Sequence, residues 1–268
     1  MRTMQSLPDL LRLKRRPTVS VLRLQGAIGM GARSLTDAGL APAIEAAFKA
    51  KPVAVALQIN SPGGSPVQSS LIAGRIRRLA EEKRVPVLAF VEDVAASGGY
   101  WLATAADEIW CDPGSMLGSI GVISAGFGFQ DLIARLGVER RVHTAGRSKS
   151  LLDPFRPEKP EDVERLDRWL SQLHDVFIAQ VRGRRGSKLK DDPDLFTGEV
   201  WIGERAVSQG LADGIGHIGP VLRSRFGEKV RVRRYGQRRS LLSRFGLSLA
   251  EEAAGLVEER AAFARFGL

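Results

Sequence analysis

At 268 residues, with 44% apolar and 26% charged side chains, the chain suits one large or two small globular domains, which excludes general disorder. Its single cysteine, Cys111, excludes a disulfide framework and any zinc site built on several cysteines, and His143, His174 and His217 never fall at metal-ligand spacing. The net charge of +10 sits at the ends: residues 1–16 carry five basic side chains against one acid and residues 221–244 nine against one, while 17–220 is neutral. That distribution suits a neutral body with basic flanks that touch an anionic surface. No apolar run reaches the roughly 18–20 residues of a transmembrane helix. The first 17 residues lack a signal-peptide core, being broken by Pro8, Asp9 and Arg12. A cytoplasmic location is expected, with the basic ends free to lie on the inner face of a membrane.

In chain order, residues 19–24 alternate as a strand and stop at Gly26. Residues 38–50 have helical spacing of Leu40, Ile44, Ala47 and Phe48. Residues 53–59 form an almost continuous apolar run, as a buried parallel strand requires. A turn at 60–64 leads to a helix over 67–80 with a basic face, and 85–91 reads as a second buried strand. Residues 98–106 are small, apolar and helical; 108–111 and 119–124 read as short strands, 130–136 as a helix, and 139–144 as a strand. Residues 160–182 are a long helix, 204–209 and 221–226 short ones, 229–232 a late strand, and 249–266 a tail helix. Strands alternating with helices predict an α/β fold with a largely parallel sheet. No internal repeat is visible, so one catalytic domain is expected.

Two glycine-rich turns follow two consecutive buried strands, NSPGGS at 60–65 and DVAASGGY at 93–100. In an open α/β sheet, sites form beyond the carboxyl ends of the strands, where both turns lie. Neither turn matches GxGxxG or a Walker A loop, which argues against a nucleotide phosphate. Ser97 opens the small-residue helix, so its hydroxyl lies near unpaired backbone N–H groups. Gly98 and Gly64 could present N–H groups to one oxyanion, because a glycine backbone approaches closely. The same spacing also fits two ordinary tight turns. A nucleophilic serine needs a base. His174 falls in a long helix, His217 in a late loop, and His143, on a short strand, is an outside candidate. A lysine serves if it is neutral, which requires burial to lower its pKa. Lys149 follows a strand in a loop, where a solvated side chain is the simpler reading.

With these residues in view, the chain resembles the signal peptide peptidase A family, the S49 serine peptidases of the ClpP/crotonase superfamily. The resemblance covers about residues 18–220, leaving 1–17 as a basic N-terminal segment and 221–268 as a basic, helical C-terminal extension. It rests on five motifs in the family's order: NSPGG at 60–64, DVAASGGYWLATAAD at 93–107, GSIGV at 118–122, AGRSKSLLDPFRP at 145–157 and TGEVWIGERAVSQGLAD at 197–213. It implies a ClpP/crotonase-like α/β fold with repeated ββα units. It also implies Ser97 as nucleophile, Lys149 as general base, Ser119 as the hydroxyl that orients the lysine, and Gly64 and Gly98 as oxyanion donors. No metal or organic cofactor is implied. A ClpP-type triad would need a histidine soon after the serine, and His143 lacks the expected surroundings. Crotonases bind acyl-CoA and use no serine nucleophile, so AASGG with Lys149 argues against them.

The resemblance further implies extended peptide substrates, such as remnant signal peptides, and a homo-oligomer with contacts around 160–182. Many members carry an N-terminal membrane anchor; here 17 residues, five of them basic, precede the first strand. A peptidase at the inner face of a membrane, acting on released peptides, is therefore expected. The rival from another class is a non-catalytic peptide-binding or scaffold protein. A nucleic-acid role for residues 221–244 finds little support, since that stretch has few aromatics and no recognisable module.

Overall fold

The computed structural model describes residues 16–29, 34–146, 148–236 and 260–268. The first half alternates strand and helix: β1 (Thr18–Gln25), α1 (Asp37–Lys49), β2 (Ala54–Ser61), α2 (Pro66–Lys83), β3 (Val87–Ala96) and α3 (Gly98–Ala103). Short elements follow: β4 (Glu108–Cys111), β5 (Met116–Gly118) and α4 (Gln130–Arg135). The second half holds the long α5 (Pro160–Arg185), then β6 (Val200–Ile202), α6 (Glu204–Ser208), β7 (Gly214–Ile215), α7 (Ile218–Phe226) and β8 (Arg231–Tyr235).

The strands form one sheet in the order β6-β5-β3-β2-β1-β8, with β4 also on β3 and β7 on β4. Every pairing is parallel except β5 with β6. The α/β class and parallel-rich sheet expected from the sequence are what the chain adopts. Alternation along the strands builds two cores: Leu22, Leu24, Val55, Leu57 and Ile59 face the larger one, and Val19, Val21, Ala54 and Ala56 face a smaller one closed by Leu222 of α7. Ile72 and Ile76 on α2 are fully buried in the larger core. Each such side chain contributes roughly 1.5–3 kcal/mol by leaving water. Local signals agree with the helix starts. Thr36 caps α1 by accepting the Gly39 N–H, and Pro66 and Pro160 stand in the first turns of α2 and α5, where a missing N–H costs nothing.

Four expectations need correction. β3 runs on through residue 96, so the second glycine-rich turn narrows to Ser97 itself. The strand placed at 119–124 is instead β5, Met116–Gly118, which pairs with the last three residues of β3 and ends where Gly118 and Ser119 take positive φ. Residues 139–144 form no strand; they are mostly exposed and have no neighbouring strand to pair with. The late strand is shifted to Arg231–Tyr235, where it pairs with β1 at the sheet edge. Residue 220 lies within α7, and β8 pairs with β1 in the main sheet. The tail helix expected over 249–266 lies largely outside the described residues; 260–264 are helical.

Candidate active site

Adjacent parallel strands end side by side, so β2 and β3 deliver their following turns to one place. Ser97 lies between β3 and α3 with φ +51° and ψ −123°, backbone angles that favour glycine. It is held there from both sides: its N–H donates to Gly118 O at 2.8 Å, and its carbonyl accepts the Trp101 N–H at 3.0 Å. A non-glycine residue kept in such a conformation is a mark of functional sites. The neighbouring Ser119 is fixed by its own N–H, which donates to Glu199 O at 2.7 Å.

The first glycine turn packs directly on this corner. A Cβ at Gly63 would meet the Ser97 Cβ and the Ala96 carbonyl at 2.8 Å, so only glycine fits. Gly64 bridges to Ile28 in parallel fashion: Ile28 N–H donates to Gly63 O at 2.8 Å and Ser65 N–H to Ile28 O at 2.7 Å. That pattern uses the groups on either side of Gly64 and leaves its own N–H pointing away from the bridge. The Gly98 N–H is in the first turn of α3, where no intrahelical acceptor exists. The two are close, since a Cβ placed on Gly98 would lie 3.4 Å from Gly64 N.

Ser97, Gly98, Gly64 and Ser119 line one cleft of about 490 Å³. Its apolar wall comes from Trp101 and Phe177, whose rings stack with centroids 5.0 Å apart, together with Leu173 and Ile123. The described lining includes one charged side chain, Arg265. Lys149 is not in the lining. It is exposed in a turn, with its N–H donating to Gly146 O at 3.2 Å, on a stretch (121–159) in which no described residue is buried. His143 is exposed on the same stretch. The structure thus gathers four of the five expected residues and leaves Lys149 outside.

Sequence reasoning missed the Trp101–Phe177 wall, because α5 contributes it from far along the chain. His174, set aside as a base because it falls in the long helix, has its Nε2 3.0 Å from Ile120 O and so ties α5 to the loop carrying Ser119. Cys111 is no rival nucleophile: burial pushes its thiol up to about 11. Among the described residues no cluster of His, Cys, Asp or Glu could hold a metal ion.

Comparison with known proteins points the same way. The model of peptidase family S49 matches residues 79–229. A protein of Brucella abortus named Na(+)/H(+) antiporter NhaA is 49% identical over 93% of this chain and 37% of its own length. The chloroplastic serine protease SPPA of Arabidopsis thaliana is 32% identical over 74% of this chain and 29% of its own length. The chain therefore spans well under half of these relatives. Among solved structures, the 1510-N membrane-bound stomatin-specific protease, a mutant in complex with a substrate peptide, superposes with a TM-score of 0.51 at 17% identity, covering 89% of this chain and 99% of that one. At that identity the likeness is one of fold.

Proposed function

Because this chain belongs to peptidase family S49, we propose that it is a serine endopeptidase cleaving extended peptides with Ser97 as nucleophile and Lys149 as base. The observation that carries this reading is Ser97 held at φ +51° beside the unpaired N–H groups of Gly64 and Gly98 in one cleft. In the proposed reaction a neutral Lys149 amine takes the Ser97 hydroxyl proton as Oγ attacks the peptide carbonyl. The carbonyl oxygen gains the negative charge and rests between the two N–H groups. Collapse breaks the C–N bond, the lysine gives its proton to the departing amine, and an acyl ester stays on Ser97. Water, losing a proton to the same lysine, then releases the acid. Ser119 is assigned to orient the lysine.

This chemistry needs Lys149 at the cleft, so the stretch 121–159 must fold down onto the body. We assign that step to self-association. Ile123, Phe127, Leu132 and Leu136 on the stretch, and Trp169 and Val176 on α5, are exposed apolar side chains that a second copy would cover. The exposed position of Lys149 also favours a second reading, a peptide-holding protein without catalysis. Cleavage of a fluorogenic peptide by wild type, Ser97→Ala and Lys149→Ala separates the two. Loss in both variants supports the peptidase, and absence of cleavage by the assembled wild type supports the binder.

The basic C-terminal region suggests placement at an anionic membrane surface, with remnant signal peptides or other membrane-released peptides as substrates. Arg231, Arg233 and Arg234 of β8 are exposed at the sheet edge, and the Brucella relative carries a membrane antiporter's name. No helix among the described residues is long and apolar enough to cross a membrane. Each exposed arginine near an anionic leaflet is worth on the order of 1 kcal/mol. Sedimentation with anionic vesicles, weakened by salt, is the expected result; no binding at low salt removes the idea.

A further inference from the structure

Between the loop that carries Ser119 and the buried part of α5, the chain makes one long excursion from the body. It leaves at Gly121 and is buried again at Phe177, the first buried residue of α5. No described residue of 122–173 buries an apolar side chain, and Lys149 lies exposed near the middle of this arm. The arm is held together by its own contacts. Phe129 N–H donates to Pro154 O at 2.6 Å, the Phe129 and Phe155 rings stack with centroids 5.6 Å apart, and the Arg140 guanidinium lies over Phe155. Every hydrogen bond and ion pair of described residues 122–173 stays within the arm.

One bond joins the two roots of the arm: His174 Nε2 lies 3.0 Å from Ile120 O. A carbonyl only accepts, so Nε2 carries the hydrogen. Each partner is fixed on its body side. Ile120 is fully buried, Ser119 N–H donates to Glu199 O at 2.7 Å, and Gly118 O accepts the Ser97 N–H at 2.8 Å. Just beyond His174, Phe177 stacks on Trp101, and Gln180 Nε2 and Arg184 Nε donate to Thr104 at 3.0 and 2.8 Å. Both roots line the serine cleft, Val122 and Ile123 from one side and Leu173 from the other, while His174 itself is not in the lining.

We propose that His174 is a positioning residue for the peptide cleavage: it clasps the two roots of the arm and so sets where Lys149 meets Ser97 and Ser119. The inference rests on the peptidase reading above. With the roots pinned, the arm swings from a fixed base and delivers its lysine to one place. Without the pin the roots move independently, and a small turn at the base becomes a large shift at the tip. A misplacement of about 1 Å between reacting groups costs on the order of 100-fold in rate.

The test measures fluorophosphonate labelling of Ser97 in the full chain. His174→Ala should slow it by at least about tenfold. His174→Gln, which keeps a side-chain N–H donor, should bring the rate most of the way back to wild type. Lys149→Ala with His174→Ala should label no more slowly than Lys149→Ala alone, because a clasp that acts through the lysine then has nothing left to position. A purely structural histidine would slow both backgrounds equally. A wild-type rate in His174→Ala, a glutamine variant as slow as the alanine one, or equal slowing in both backgrounds overturns the assignment. Hydrogen exchange tests the clasp apart from catalysis. In His174→Ala the Ser119 and Gly121 N–H groups should exchange at least about tenfold faster, while β2, which reports the whole fold, stays as in wild type. Unchanged exchange at Ser119 and Gly121 removes the clasp. A wild type that takes no label sinks the peptidase reading and the role toward Lys149 with it, and faster exchange in His174→Ala then still upholds the clasp itself.

Discussion

At the scale of single residues, the site is built on one unfavourable backbone conformation. Ser97 occupies a region that costs a non-glycine residue about 1–3 kcal/mol. Ser97→Gly should therefore raise the unfolding free energy by about 1 kcal/mol, after the entropy penalty of glycine, while removing the nucleophile. Ser97→Ala keeps the strain and should match wild type in stability. Urea titration compares the three, and equal stability of the glycine and alanine variants would show that the corner is unstrained. In the sequence this residue was legible as a serine between a buried strand and a small-residue helix. Its backbone angles were not, because they are imposed by Gly118 O, which arrives from a later strand.

At the scale of elements, α5 is fastened to the sheet by a buried ion pair. Arg185, 4% exposed, donates to Asp213 Oδ2 and to Gly210 O, both at 2.8 Å, and Asp213 also accepts from Lys188 Nζ at 2.6 Å and Ile109 N–H at 2.7 Å. Burial alone would raise the Asp213 pKa, but the hydrogen bonds from Arg185, Lys188 and Ile109 outweigh it and hold the carboxyl below its ordinary value. Asp213→Ala strands a buried guanidinium and should cost about 3–5 kcal/mol. Because the folded-state pKa is depressed, the contribution is full above the ordinary value of 3.8 and is lost as pH falls through the folded value. The stability gap between wild type and variant should therefore be constant near neutrality and shrink below about pH 4. A gap unchanged down to acid unfolding would contradict the assignment.

The elements themselves were unevenly readable. β1, β2 and α2 announce themselves through alternation, an unbroken apolar run and helical spacing, because each buries a face in a core that local sequence already specifies. The strands expected at 119–124, with three apolar residues of six, and at 139–144, with Val142 alone, have no partner at that register among the described residues. β5 is three residues long because it completes an edge that only tertiary pairing defines. The approach of Ser97, Gly98 and Gly64 was readable from two turns after adjacent strands, while Ser119 entered only through the family resemblance; the exposed turn of Lys149 was not readable, since loop position has no periodic signal.

At the scale of the whole molecule, no described residue of 121–159 buries an apolar side chain although the stretch carries many, with Phe127 81% and Leu136 69% exposed. Covering each such side chain is worth roughly 1.5–3 kcal/mol, enough in sum to drive association. Light scattering should show a mass several times 29.1 kDa. Phe127→Ser with Leu136→Ser should shift it toward a single chain and lower peptide cleavage in parallel, because the same stretch carries Lys149. A monomer with full activity would separate assembly from catalysis.

The central claim is that Ser97 is acylated with Lys149 as its base. A fluorophosphonate probe, followed by mass spectrometry of the labelled peptide, tests it most directly. The account predicts one label on Ser97 in the wild-type assembly, none in Ser97→Ala, and labelling slowed by at least about 100-fold in Lys149→Ala but not in His143→Ala. Labelling of another residue, or an equal rate in Lys149→Ala and wild type, would contradict it.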